Sequence, residues 1–136
     1  MKTTVFMITM LLLLSGCTPK FMDDMSNNQY FEKQVHVDSN AYYIGEWTGA
    51  IGPGLLAIKI NASGNIKMCG ANEYFGTSNG KVFKENGKIK MIFESGSQYE
   101  ILALEKDHLI VSTYGKEYKY YSDKVPDRCK QIFKEF

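Results

Sequence analysis

Neither sign of charge is in excess: the 136 residues carry 16 Lys and Arg against 15 Asp and Glu. Nucleic-acid binding needs a basic surface, so this balance argues against a nucleic-acid partner. Histidine is scarce, with only His36 and His108. One lies in a polar stretch and the other in an expected turn, and neither has a second ligand at metal spacing. They read as solvated surface histidines. The chain has no Gly-x-Ser-x-Gly, no phosphate-binding glycine loop and no recognisable Ser/His/Asp set. No catalytic residue, cofactor or metal site is therefore assigned. Long apolar runs are also missing. The longest, from Val5 to Leu14 and broken only by Thr9, spans ~15 Å as a helix, half of a bilayer core. Internal repeats and low-complexity tracts are absent too. What is present is ordinary for a folded chain, with 44% hydrophobic, 13% aromatic and 23% charged residues. That composition excludes wholesale disorder.

The apolar run follows Met1-Lys2 and ends in Leu14-Ser15-Gly16-Cys17. Its length and its flanks suit the core of a signal peptide. The four residues resemble the lipobox of bacterial lipoproteins: an aliphatic residue, two small residues, then cysteine. The resemblance implies a signal peptide over residues 1–16 and cleavage between Gly16 and Cys17. It also implies a diacylglyceryl group on the Cys17 thiol, with palmitate-type acylation of the new amino group. Two or three acyl chains anchor a protein stably, at ~0.8 kcal/mol per buried methylene. Residue 18 is Thr, whereas an Asp there often retains Gram-negative lipoproteins in the inner membrane. The expectation is a lipid-anchored protein of the outer membrane with its domain in the periplasm. Removing 16 of 136 residues leaves 120, enough for one hydrophobic core.

Residues 17–40 are polar and read as a lipidated N-terminus and tether, with a short helix near 29–34. Residues 41–136 read as the domain. From Ala41 to Tyr121, short alternating runs are separated by turn residues. Tyr43, Gly45 and Trp47 share one face, as do Leu56, Ile58 and Ile60, and Ile89, Met91 and Phe93. Asn61–Gly64, Asn79-Gly80, Asn86-Gly87, Ser95–Ser97, Glu105–His108 and Gly115-Lys116 are the expected turns. Connections this short force antiparallel neighbours. The expected fold is mainly β, a meander of about 8 strands forming a small barrel or sandwich. Val125, Cys129, Ile132, Phe133 and Phe136 then fall on one helical face, behind Pro126 and Asp127 in a first turn. That C-terminal helix is expected to cover a face or an open end of the sheet.

With Cys17 assigned to lipid, Cys69 and Cys129 remain. In an exported protein an even pair defaults to a disulfide. A redox or metal pair is the alternative, without a Cys-x-x-Cys or further ligands to support it. Tyr114, Tyr118, Tyr120 and Tyr121 crowd the last hairpin, and Tyr42 and Tyr43 lie at the first strand. They are candidates for an aromatic contact surface or a cavity lining. Tyrosine is also a common filler of small barrels, the more frequent arrangement. Gly52-Pro53-Gly54 reads as a tight connection or a mouth loop. Lys81, Lys84, Lys88 and Lys90 make one hairpin basic, most simply as a solvated face.

Three further resemblances rest on named residues. Gly45-Glu46-Trp47 is similar to the Gly-x-Trp of the first lipocalin strand. Ser95-Gly96-Ser97-Gln98-Tyr99 resembles the Ser-Gly-x-x-Tyr signature of membrane-bound C-type lysozyme inhibitors, which implies an eight-stranded barrel. The Lys-Gly pair that follows in that family is not reproduced; Gly115-Lys116 is the nearest, in reverse order. Trp47-Thr48-Gly49, Gly52-Pro53, Cys69 and Cys129 resemble a family of small Acinetobacter-type lipoproteins. That family implies fold and location and lends no biochemical function. The reading is a non-enzymatic envelope module that binds a protein partner, in one form an inhibitor. A lipocalin-like carrier of a small apolar ligand is the alternative. Cys17→Ser is expected to abolish both lipid attachment and cleavage after Gly16, read by fatty-acid labelling in cells. A labelled, membrane-bound variant would overturn the lipobox.

Overall fold

The computed structural model describes residues 28–38, 40–52 and 54–136. The expected signal peptide, the lipobox and the lipidation site Cys17 lie outside the described residues. Eight antiparallel strands form a closed barrel in chain order. They are β1 (Gly45–Ile51), β2 (Gly54–Ile60), β3 (Asn65–Gly70), β4 (Thr77–Glu85), β5 (Lys88–Phe93), β6 (Gln98–Glu105), β7 (His108–Thr113) and β8 (Lys116–Tyr121). A 3-10 turn, Glu73–Phe75, lies between β3 and β4, and helix α1 (Asp127–Lys134) follows β8. The mainly-β expectation thus resolves to a barrel, not a sandwich.

The alternation seen in the sequence fills the barrel. Tyr43, Trp47, Ile58, Ile60, Ile66, Met91 and Phe93 are all buried in one core. The Trp47 indole Nε1 donates to the Tyr43 carbonyl at 2.9 Å, so its one polar atom is satisfied inside. A barrel of eight strands has room for side chains and little else. Two positions show how tight that room is. Gly49 faces Tyr120 across the β1–β8 pair, and Gly80 faces Phe93 across β4–β5. A Cβ on either glycine would lie 2.7 Å from the facing ring. The glycine is required so that the aromatic ring can lie across the strand.

Gly80 corrects an expectation. Asn79-Gly80 is not a turn but lies within β4, because Gly80 is chosen for close approach to Phe93 rather than for backbone bending. Asn86-Gly87 is a turn, with φ of 51° and 76°. Both values lie in the left-handed region that a two-residue hairpin of this hand requires. The last hairpin turns at Tyr114-Gly115, with φ of 50° and 75°, one residue earlier than expected.

Two elements cover the outside of the barrel. Helix α1 lies over the outer face of β2 and β3, where Cys129, Phe133 and Val125 are buried with Ala57 and Cys69. It covers a face and not an open end. Lys59 Nζ donates to the Phe133 carbonyl at 2.7 Å, which satisfies one orphan carbonyl of the helix end. Cys69 and Cys129 form the disulfide expected of them, closing a separation of 60 residues.

The second cover comes from residues expected to be tether. Residues 28–38 are seated on β4 and β5, so the packed chain begins at least as early as Asn28 and not at Ala41. Phe83 and Ile92 point outward yet are buried, because Tyr30 lies on them. Lys81 Nζ sits 4.4 Å from the Tyr30 ring centre and donates to the Tyr30 carbonyl. Glu85 accepts from both Lys33 and Lys90, at 2.9 and 2.7 Å. Those two ammonium groups pull its carboxyl down to about 2, with Lys90 the larger influence. The expected short helix is a single turn, with Lys33 N–H donating to the Gln29 carbonyl.

A disulfide spanning 60 residues stabilises by about 4 kcal/mol in the chain-entropy account. The C69A/C129A variant is expected to lose about that much, measured by urea denaturation of the oxidised and variant proteins. Equal midpoints for the two would show that the staple contributes nothing.

Candidate binding cleft at the barrel seam

The barrel closes unevenly. β1 and β8 pair only at Thr48↔Tyr121 and Gly49↔Tyr120. Every other pair of neighbours is in register at four or more positions. Among the described residues no β1–β8 pairing continues past Gly49. Ala50 and Ile51 on one side, and Glu117 to Lys119 on the other, are left without a partner across the seam. Successive residues turn their N–H and C=O to opposite sides of a strand, so every second one of these, Ala50 among them, directs its backbone groups at the seam.

A cleft of about 420 Å³ opens there, lined by Thr48, Gly49, Ala50, Leu55, Glu117, Tyr118, Lys119, Tyr121 and Lys124. Its residues come from the β1–β2 hairpin, from β8 and from the link after β8, which closure of the barrel brings together. Ala50 and Leu55 are cross-strand partners on the outer face of β1 and β2. Lys119 and Tyr121 project from the outer face of β8. Lys124 comes from the link to α1, and its ammonium lies 5.0 Å from the Tyr121 ring centre. Leu55 is exposed, an apolar side chain waiting at the wall of a groove. Thr48 is 3% exposed, and its hydroxyl is buried without a hydrogen-bond partner. An unsatisfied buried hydroxyl costs about 1–3 kcal/mol, a cost that a bound donor or acceptor removes. The two lysines outnumber Glu117, so the cleft favours a ligand with a carboxylate. A smaller cleft, about 200 Å³, lies beside Tyr99 and Tyr114, where the β6–β7 register ends at Glu100↔Ser112.

The four tyrosines singled out from the sequence do not form one surface. Tyr120 is 1% exposed and belongs to the core, so it contributes nothing to a contact surface. Alternation sends it inward, where Gly49 leaves room. Tyr118 also packs toward the core and reaches the cleft from within. Tyr121 faces outward into the cleft, with the His108 ring 5.3 Å away. Tyr114 stands at a hairpin tip, exposed, and with Tyr118 lies near the buried Tyr99. Tyr42 and Tyr43 stack edge-on against each other. The outward residues Thr48, Leu55, Lys119 and Lys124 were not singled out. Nothing in their spacing marks them, because the seam joins the first and last strands.

His36 and His108 take no site role here. The His36 backbone N–H donates to the Val82 carbonyl, and His108 Nδ1 lies 3.1 Å from Asp107. Among the described residues no three His, Cys, Asp or Glu are grouped to hold a metal. In the Ser95–Tyr99 stretch the two serine hydroxyls bond to each other at 3.0 Å. Tyr99 then turns inward against Phe93, with ring centres 5.4 Å apart. The tyrosine of that signature is therefore half-buried and packed against the core here.

The fold defines the class: a small closed antiparallel barrel with a helix stapled to its outer face. The chain is similar in structure to a crystal structure of a lipoprotein YedD from Klebsiella pneumoniae. The TM-score is 0.59 at 13% identity, covering 78% of this chain and 92% of that one. That likeness is one of fold. No known family matches the sequence, and no curated protein does.

Burial pushes the Tyr99 phenol up to about 12, with Tyr114 and Tyr118 nearby adding to the shift. Burial raises Tyr120 as well, with Tyr99 and Tyr118 contributing. These phenols favour the folded state fully below the ordinary value of 10.0. The contribution declines as pH rises from there, that of Tyr99 being lost through about 12. Stability is expected to hold up to that ordinary value and fall above it, and Tyr99→Phe should blunt the fall. Urea denaturation on both sides of pH 10 checks this, and parallel curves for the two proteins would refute it.

Proposed function

We propose that the protein is a lipid-anchored, non-enzymatic module of the bacterial cell envelope. It holds an extended segment of a partner protein in the seam cleft. The observation that carries this reading is the interrupted β1–β8 ladder above a filled interior. An extended segment laid along the cleft meets unpaired main chain on both sides, the mode of recognition in which a strand is added to a sheet edge. Leu55 and Tyr121 offer apolar contact to its side chains, and Lys119 and Lys124 favour an acidic residue. The Thr48 hydroxyl gains the partner it lacks. Attachment through Cys17 places the module at the outer membrane with its cleft in the periplasm.

The filled interior supports this reading over a carrier. A carrier of the lipocalin kind needs a void inside the barrel, and Trp47, Met91, Phe93 and Tyr120 occupy that space.

A photo-crosslinking side chain in place of Leu55 tests the proposal in living cells. The expected product is one dominant adduct whose mapped peptide is short, extended and acidic. The same group in place of Lys106, at the other end of the barrel, should give none. K119E/K124E should weaken the adduct without changing thermal stability. Equal adducts from both positions would refute the cleft. Added small-molecule mass on protein recovered under native conditions would favour the carrier.

A further inference from the structure

The two ends of the barrel differ in chemistry. One end carries the β1–β2, β3–β4, β5–β6 and β7–β8 connections, and the other carries the remaining three hairpins. The three hairpins turn through Asn61–Gly64, Asn86-Gly87 and Lys106-Asp107, with no aromatic residue in any of them. At the first end, Tyr74 is 99% exposed and Phe75 and Tyr114 are 48% and 40% exposed. Tyr74 and Phe75 sit in the 3-10 turn between β3 and β4. Tyr114 sits at the tip between β7 and β8, held in the left-handed region at φ of 50°. Of the other exposed aromatics, Phe31 lies in the covering segment at 83% exposure and Tyr42 near the opposite end, its ring edge-on against Tyr43. A single exposed aromatic is ordinary, but here three of them stand at one end of the barrel.

The same end is where the chain enters the described structure. Asn28 Nδ2 donates at 2.8 Å to the carbonyl of Glu94, on the β5–β6 connection. From Asn28 the chain then leads away from this end, with Lys33 on Glu85 and His36 on Val82. Cys17 lies eleven residues before Asn28. Eleven residues reach at most ~40 Å, which brings the aromatic rim within reach of the bilayer that would hold the acyl chains of Cys17.

We infer that this rim, with Tyr74, Phe75 and Tyr114, rests on the bilayer that holds the lipid anchor. The inference rests on the anchor at Cys17 proposed above. The two tyrosines combine an apolar ring with a hydroxyl, which suits the headgroup region and favours the interface over water or hydrocarbon. The polar hairpins then face the periplasm. The barrel is oriented by three contacts on one end instead of swinging freely at the limit of its tether. Ala50 and Leu55 lie close to this rim, so the seam cleft opens near the membrane surface.

The test uses the full lipidated protein in vesicles, half of them made with brominated phospholipid. A tryptophan is introduced by Tyr74→Trp in one variant and by Glu105→Trp in the other. Tyr74 is free of packing, so its replacement leaves the fold intact. The added emission of Y74W is expected to shift to the blue and to be lost in the brominated vesicles. The added emission of E105W, at the opposite end, should be unchanged, and Trp47 is common to both. Vesicle-bound Y74W with unquenched, water-like emission would overturn the rim alone and leave the anchor standing. Equal quenching of both variants would overturn the orientation. Protein that fails to float with the vesicles would overturn the anchor, and the inference with it.

Discussion

Closing eight short strands into a barrel leaves a narrow interior, and two large aromatic rings must be placed in it. Tyr120 and Phe93 are accommodated because each faces a glycine, Gly49 and Gly80, on the adjacent strand. The Gly49–Tyr120 pair has the further role of closing the sheet. It is one of only two registered positions that join β1 to β8. A methyl group at residue 49 would push the ring away at the weakest join in the barrel. Overpacking of this kind costs about 1–3 kcal/mol in an ordinary core. Here the displaced ring would also loosen the closure on which the seam cleft depends.

The outside of the barrel is as demanding as the inside. Strands that alternate should face water with polar residues, yet Ala57, Cys69, Phe83 and Ile92 point outward and are buried. Two covers answer this. Helix α1 is held over Ala57 by the Cys69–Cys129 bond and by Arg128, which donates to the Gly70 carbonyl at 2.6 Å. Residues 28–38 are held over Phe83 and Ile92 by Tyr30 and by the Lys33–Glu85–Lys90 set. Neither cover lies on the β1–β8 seam. That uncovered seam, and the interrupted ladder beneath it, make this stretch of the wall the natural place for a partner. Exposed ion pairs such as Lys33–Glu85 add little stability by themselves. Their use is to hold the segment in register over an apolar patch.

The strand pattern was legible because alternation is a local signal. Ile89, Met91 and Phe93, or Leu56, Ile58 and Ile60, can be assigned to one face from spacing alone. The disulfide followed from counting cysteines in a chain expected to be exported, and α1 from the spacing of Val125, Cys129 and Phe133. Asn79-Gly80 misled for a definite reason. A glycine after asparagine has the same spelling whether it is chosen for positive φ or for absence of a Cβ, and only Phe93 on the facing strand separates the two. Residues 28–38 misled because their composition is polar, while the apolar surface they cover belongs to strands fifty residues away. The tyrosines were visible as a cluster in sequence, but their neighbours in space are set by the pleat, which sends Tyr120 inward and Tyr121 outward.

Local chemistry, then, was decided by the chain itself: which residues make strands, where most turns fall, which face is apolar and which cysteines are available to pair. These depend on interactions between residues a few positions apart, and a sequence displays such positions directly. The cleft, the rim and the covered outer face were decided by tertiary structure. Each requires residues from distant parts of the chain to meet, Thr48 with Tyr121, Tyr30 with Ile92, and Tyr74 on the same end as Tyr114. Closure of the barrel sets those meetings, and closure depends on how rings and glycines fit across strands, which is a property of volume in three dimensions.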